Sequence, residues 1–281
     1  MTYHNEFRES DPFSPLINVY RNITNLCSLQ SEFQKIDVLF HPFFGRMLLL
    51  DDVVQLTEWD EFFYHELLVH VPLASHPCPA DVLIIGGGDG GSLREVLKHQ
   101  RVVSVTLVEL DSMVVDVSKK FLPTLSTGFA DPRVHIIHMD GAEFLKDVPS
   151  EFDVIIIDGP DPVGGAQNLL SNETLENAHL SLKEEGILTA QTESLHFHRD
   201  FLLETQSSLA NHFPIVDLYT MSSATYSGNW WTFSIGSKKY SPRNLRRSAK
   251  IQCRYYSLDV HRRSFLPSSV YMKLLNKTLA W

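Results

Sequence analysis

Apolar and polar positions sort first into short strands and then into an alternation of strands and helices. Residues 1–30 hold no clear period, so the sequence leaves them as an arm, either mobile or packed on a neighbouring subunit. From Ser31 the spacing is that of short strands. Phe33 to Phe40 partly alternates, His41-Pro-Phe-Phe-Gly45 is a turn, and Met47 to Leu50 is apolar. Asp51-Asp52 is a second turn and Val53 to Thr57 another strand, which together predict a small antiparallel sheet. Asp60 to His70 predicts a helix, with Phe63, Leu67 and His70 on one stripe and Phe62 and Glu66 on another. Pro72 and Pro77 then predict a linker near residues 72–80.

From Asp81 the pattern changes. Val82 to Ile85 is a short apolar run ending in Gly86-Gly-Gly-Asp-Gly-Gly91, and Leu93, Val96 and Leu97 follow at helical spacing. Strand, glycine turn and helix in that order predict a nucleotide site. The turn lets a ligand approach the backbone, and the helix start offers unpaired N–H groups. Val102 to Val108 is the second strand and ends at Glu109, placed to accept from ribose hydroxyls. Ser112 to Phe121 is helical, broken by Pro123 and Gly128. Val134 to His138 is the third strand, leading to Asp140-Gly141, and Phe152 to Ile157 is the fourth, followed by Asp158. Gly186 to Ala190 is the fifth, ending at Gln191-Thr-Glu193. A helix from Arg199 to His212 precedes a closing strand pair, Ile215 to Met221 and Trp230 to Ile235. The fold class is α/β, a mostly parallel sheet covered on both faces and preceded by a small antiparallel β-domain. Such sheets bind ligands at the carboxyl ends of strands, near the point where strand order reverses. Asp89, Glu109, Asp140 and Asp158 all fall there. One could be a helix cap; four together point to a site.

Composition narrows the classes. The chain of 281 residues is 43% hydrophobic and 21% charged, as in ordinary globular enzymes. It holds no apolar run of about 18 residues that would predict a membrane span. Its early acids argue against a secretory signal. Cys27, Cys78 and Cys253 are too scattered for a disulfide framework or a zinc pattern, which predicts reduced thiols and a cytoplasmic location. His196-Phe-His198 has no third ligand nearby, so no metal is expected. The net charge of −10 disfavours nucleic acid and is compatible with a cationic substrate, although solubility alone accounts for it equally well. Residues 237–250 are basic and read as solvated surface.

Several blocks together carry a resemblance. They are Ser31-Glu-Phe-Gln34, Phe44-Gly-Arg46, Leu50-Asp-Asp-Val-Val-Gln-Leu-Thr-Glu58 and Asp60-Glu-Phe-Phe-Tyr-His-Glu66. To these add the glycine turn, Glu109-Leu-Asp111, Asp140-Gly141, Asp158-Gly-Pro-Asp-Pro162, Thr225-Tyr226 and Tyr255-Tyr-Ser-Leu-Asp-Val-His261. From about Ser31 to Pro267 the chain resembles the polyamine aminopropyltransferase family, and within it the spermidine synthases. The resemblance implies a Rossmann-like methyltransferase-type domain over residues 76–281. Before it, residues 1–75 would form the arm, small β-domain and linking helix. It implies a homodimer, small-molecule substrates, no membrane or nucleic-acid partner, and no metal or redox cofactor. The implied reaction moves an aminopropyl group from decarboxylated S-adenosylmethionine, a co-substrate, to putrescine, giving spermidine and methylthioadenosine.

The resemblance also implies roles. Asp158 would be the proton acceptor, needed because an amine that titrates near 10 is protonated at neutral pH. Gln34, Asp89, Glu109, Asp140, Gly141 and Gly165 would hold the donor. Tyr64, His65, Asp89, Asp161, Glu193 and Tyr226, with Asp158, would hold the amine, since aromatic faces and carboxylates suit methylenes and cations. An aspartate at position 89 would repel the carboxylate of intact S-adenosylmethionine and attract the ammonium of the decarboxylated form. Three positions depart from the family: Gly159-Pro160 where a hydroxyl residue usually follows the aspartate, Gly164-Gly165, and Ala224 before Thr-Tyr, with Trp230-Trp231 crowding the loop beyond. They bear on the amine side. An ordinary S-adenosylmethionine methyltransferase, an aminopropyltransferase for cadaverine or agmatine, and a non-catalytic binding member stay open as alternatives.

Overall fold

The computed structural model describes residues 5–11, 14–159, 168–246 and 251–279. Residues 5–11 and 14–30 are not an unstructured arm. β1 (Glu6–Ser10) and β2 (Ile17–Arg21) form an antiparallel hairpin, and β3 (Thr24–Gln30) is the edge strand of a second sheet. The hairpin escapes a hydrophobic reading because its inward positions include Glu9 and Asn18, while Ile17 and Val19 face outward. β4 (Lys35–His41), β5 (Gly45–Leu50) and β6 (Val53–Thr57) complete an antiparallel sheet in the order β3-β4-β5-β6. Asp51 and Asp52 make the predicted turn with positive φ, tolerable for aspartate.

Next comes α1 (Glu61–Ser75), which runs through Pro72 rather than stopping before it. A proline inside a helix costs about 3 kcal/mol. Here Leu67, Leu68, Val69, Val71 and Leu73 are all fully buried around it. At roughly 1.5–3 kcal/mol per buried apolar side chain, that burial wins. The linker is therefore only residues 76–80, and α1 packs into the main core rather than with the small sheet.

The remaining elements alternate: β7 (Asp81–Gly86), α2 (Gly91–Leu97), β8 (Ser104–Val108), α3 (Ser112–Phe121), β9 (Val134–Ile137), α4 (Gly141–Leu145) and β10 (Phe152–Asp158). Then come α5 (Asn172–Ser181), β11 (Leu182–Ser194), α6 (Arg199–His212), β12 (Ile215–Ser222), β13 (Trp230–Ser237), α7 (Leu258–Ser264) and α8 (Ser268–Leu275). The seven-stranded sheet has the order β12-β13-β11-β10-β7-β8-β9, parallel from β11 to β9, with β13 and β12 antiparallel at one edge. Leu67, Leu68, Leu93 and Val96 of α1 and α2 cover one face; Leu145, Leu175 and Leu209 of α4, α5 and α6 cover the other. Val114 and Val117 of α3 pack instead on Ile36, Val38, Leu48 and Leu56, which ties the small sheet to the large one.

The chain goes from β7 outward to β8 and β9, then crosses back to β10 on the other side of β7. The order reverses between β7 and β10, and there Asp158 pairs with Gly86. The basic stretch from residue 237 is not a freely solvated surface over its described part. Pro242 is buried, and Arg243 grips Asp217 through two hydrogen bonds of 2.6 and 2.8 Å. Residues 247–250, like Asp161 and Gly165 of the expected site, lie outside the described residues.

Candidate active site

The turn after β7 builds the centre. Gly86 has φ of +79°, and a Cβ there would meet the Asp158 carbonyl at 2.2 Å, so only glycine lets the two strand ends close. Asp158 ends β10 with both oxygens engaged. Oδ1 accepts from the Tyr64 hydroxyl at 2.6 Å, and Oδ2 accepts from the Ser92 hydroxyl at 2.6 Å. Burial pushes its carboxyl above the ordinary aspartate range, and Asp89 adds to this; His65, Ser92 and Tyr64 pull against it. Burial, with Asp158 beside it, in turn holds the Tyr64 phenol well above its usual value.

Asp89 sits in the turn itself. Its Oδ1 accepts from the Gly91 N–H at 2.7 Å and lies 3.3 Å from His65 Nε2. The other His65 nitrogen, Nδ1, is 2.7 Å from Glu61 Oε2. Burial would lower the His65 pKa, but Asp89 and Glu61 overturn that and raise it to about 10. Burial opposes ionisation of Asp89 too, and the imidazole overcomes it, so its carboxyl falls below the usual range. His65, Asp89 and Asp158 each bring one ligand atom within 4.8 Å of the others. An imidazolium has no lone pair for a metal, so this corner fits an organic ammonium better than a metal ion.

A chamber of about 120 Å³, partly open to solvent, spreads from this corner. Toward β8 it reaches Glu109, whose Oε2 accepts from Gly88 N–H at 3.1 Å and Oε1 from Asp111 N–H at 3.0 Å. Burial raises the Glu109 pKa to about 7, against the pull of those two N–H groups. Gln34 lines the same end, its amide donating to Asp111 at 3.1 Å. Toward β11 the chamber is closed by Tyr226, Trp231 and Glu193. Glu193 is fully buried with φ of +65°, a strained geometry for glutamate. The Gln191 amide donates to it at 2.9 Å.

Two expected residues do not line the chamber. Asp140 caps α4, its Oδ1 accepting from Ala142 and Glu143 N–H groups at 2.7 and 3.1 Å, and Gly141 opens that helix against Ile85. Beside them Leu110 and Met139 expose apolar surface past the ends of β8 and β9.

The loop after β12 is pinned from α1. Asp60 accepts from Ser223, from the backbone N–H groups of Ala224 (3.2 Å) and Thr225 (3.1 Å), and from the hydroxyls of Thr57 and Thr225. A proline at 224 could not donate, so the alanine there adds a bond to the clamp. Tyr226 is thereby set for its hydroxyl to donate to the Gln55 carbonyl at 2.8 Å while its ring meets Trp231 at 4.5 Å.

The sequence reading missed Ser92, Glu9 and Gln55 as parts of the site, and Glu61 and Arg94 behind it. Glu61 carried a usable signal, since it stands four residues before His65 on a helix. Glu9 did not. It reaches the chamber wall through the hairpin, where its Oε1 accepts from Val54 N–H at 2.7 Å.

Residues 61–247 match the spermine/spermidine synthase domain family, and residues 24–58 the spermidine synthase tetramerisation domain family. The chain is 51% identical over 270 residues to polyamine aminopropyltransferase 1 of Aquifex aeolicus, covering 96% of each chain. It is 47% identical to the polyamine aminopropyltransferase of Hydrogenobaculum sp. over the same shares. Among solved structures, a spermidine synthase in complex with the transition-state analogue AdoDATO superposes with a TM-score of 0.92. That pair is 35% identical, covering 98% of this chain and 96% of that one.

Proposed function

The chain belongs to the spermine/spermidine synthase family and is a polyamine aminopropyltransferase, and on that premise we propose that it converts putrescine and decarboxylated S-adenosylmethionine to spermidine and methylthioadenosine. The observation that carries this reading is Asp158. It is a buried carboxylate at the point where strand order reverses, with one hydroxyl on each oxygen and Asp89 and His65 beside it.

The chemistry needs such a group. The acceptor amine enters protonated, and its nitrogen can attack only after losing that proton. Asp158 accepts it, held by Tyr64 and Ser92 at the strand end. The freed lone pair forms a bond to the methylene beside the sulfonium. The carbon–sulfur bond breaks, its electron pair returns to sulfur, and methylthioadenosine leaves as a neutral thioether. The raised pKa of Asp158 brings it closer to that of the amine it must deprotonate. No metal or redox group enters this balance, and none is proposed.

Glu109 and Gln34 take the ribose end of the donor, and the base extends past Leu110 and Met139 toward Asp140 and Gly141. Asp89 faces the donor's aminopropyl ammonium and disfavours a donor that keeps its carboxylate. His65 moderates that repulsion by pairing with Asp89, while the anion stays in place. Tyr64, Tyr226 and Glu193, with Asp161 three positions beyond Asp158 in the sequence, take the diamine. Copies of the chain pair as a homodimer through the exposed apolar residues of the N-terminal sheets, among them Ile17, Leu26, Leu29 and Phe43. Cys27, Cys78 and Cys253 are free thiols, which suits a cytoplasmic enzyme. Among the described residues no helix is long and apolar enough to cross a membrane.

Asp158→Asn tests the assignment, because it keeps the shape and removes the proton acceptor. The expected loss in kcat is roughly a hundredfold or more, with methylthioadenosine affinity retained. Turnover close to that of the unaltered enzyme would overturn it.

A further inference from the structure

Behind the chamber, opposite charges follow one another from side chain to side chain. Asp89 faces His65, His65 faces Glu61, and Glu61 is gripped by Arg94, which donates Nη1 to Oε1 at 3.1 Å and Nη2 to Oε2 at 2.9 Å. Arg94 also donates Nε to Glu95 at 2.8 Å, and Glu95 is held by Lys98 at 2.6 Å and His70 at 2.9 Å. Glu61 and Arg94 do not line the chamber; they face a separate recess on the outer side of α1 and α2.

We propose that Glu61 and Arg94 are positioning residues for the transfer, holding His65 as an imidazolium so that Asp89 stays an anion facing the donor's ammonium. This rests on the aminopropyltransferase reading of Asp89 given above.

Geometry carries the argument. Both His65 nitrogens face carboxylate oxygens, at 2.7 and 3.3 Å. A neutral imidazole has one N–H, and its bare nitrogen would then point at an anion. Only the protonated ring satisfies both sides. Gly91 packs directly on the ring, where a Cβ would lie 2.3 Å from His65 Cε1. The bidentate fork from Arg94 keeps Glu61 ionised, so that Glu61 does not take the proton itself. The groups facing His65 are Glu61 and Tyr64 on α1, Asp89 on the turn, Asp158 at the end of β10 and, through Glu61, Arg94 on α2. The pKa of His65, raised to about 10, agrees with the geometry.

The consequence concerns two aspartates in one buried corner. Left alone they would share a proton, as close carboxylates do. With an imidazolium on Asp89 and two hydroxyls on Asp158 their environments diverge. Asp89 ionises readily, Asp158 less so, and each keeps a distinct task.

The test uses the full-length protein with Glu61→Gln, and Arg94→Lys as a milder second variant should the first fail to fold. Histidine-labelled protein, with the His65 signal assigned by its loss in His65→Gln, is titrated by NMR. The unaltered protein should keep His65 protonated through pH 9, whereas Glu61→Gln should bring its titration into the range between 6 and 9. In parallel, affinities for decarboxylated S-adenosylmethionine and methylthioadenosine are measured at pH 6 and pH 9. Their ratio cancels the ribose end. In Glu61→Gln the ratio should change by on the order of ten- to a hundredfold between the two pH values, the scale of one charged hydrogen bond, as the imidazolium partner of Asp89 is lost, and stay flat in the unaltered protein. A His65 that stays protonated to pH 9 in both variants would overturn the proposal, as would a loss equal for both ligands at every pH. The NMR arm needs no turnover, so a failure of the functional reading would show separately, as an unaltered enzyme that transfers nothing.

Discussion

Glu109 shows how one side chain sets a measurable pH dependence. Its folded pKa of about 7 is raised from 4.5 chiefly by burial. In the proposed role it is the charged form that would accept from two ribose hydroxyls, so nucleoside binding would favour ionisation. Methylthioadenosine affinity should therefore plateau above pH 8 and weaken as pH falls through 7, by up to about tenfold per unit. Glu109→Gln should flatten the curve. Calorimetry between pH 5.5 and 8.5 checks this, and a flat profile in the unaltered protein would contradict it. The position of Glu109 was legible in the sequence because it follows a β-branched strand at fixed distance from the glycines. Its raised pKa was not, since that depends on how deeply the strand end is covered. The same holds at Asp89, whose pairing with His65 joins a turn and a helix that sequence spacing does not bring together.

Among elements, α1 does the most. It carries Tyr64 and His65 to the chamber, Asp60 at its start clamps the loop of Tyr226, and Glu66 anchors the C-terminal segment. The fully buried Glu66 carboxylate accepts three backbone N–H groups, those of Arg254, Tyr255 and Tyr256, at 2.7, 2.8 and 2.7 Å. Tyr255 stacks edge-on against Phe63, and Arg254 lies over Phe62 at 3.6 Å. Glu66→Gln would place an amide NH₂ against the Arg254 N–H and leave that donor unpaired. The expected cost is about 1.5–3 kcal/mol of stability with nucleoside affinity retained; urea unfolding beside a binding isotherm reads both, and a change below about 0.5 kcal/mol, within the range of inert surface substitutions, would contradict the anchoring role. Sequence periodicity found this helix but ended it at His70, short of Pro72, because local propensity there opposes the burial that decides. The short α4 and the helix α5 were not read at all; neither has a long apolar stripe, and the cores they cover come from the sheet.

For the whole molecule, the main sheet and the edge where its acids gather were legible from alternating runs and the acids that end them. The N-terminal hairpin was not, because its inward face is partly polar. The same hairpin leaves Ile17 and Val19 exposed, and the edge strand β3 adds Leu26 and Leu29. An apolar edge of this kind favours pairing between copies. Sedimentation should show a dimer that Leu26→Glu with Leu29→Glu weakens, and a monomer at micromolar concentration in the unaltered protein would contradict that. The central claim concerns the reaction, and the whole chamber bears on it, from Glu109 at one end to the acids at Asp158 and Glu193. The most direct measurement is turnover of the unaltered enzyme with decarboxylated S-adenosylmethionine and a panel of amines, putrescine, cadaverine, agmatine and spermidine, with products identified by mass. The account predicts spermidine and methylthioadenosine in equal amounts, with putrescine the preferred acceptor. Preference for another amine would contradict the assignment of putrescine. S-adenosylhomocysteine formed from the intact donor, with no aminopropylated product, would contradict the account as a whole.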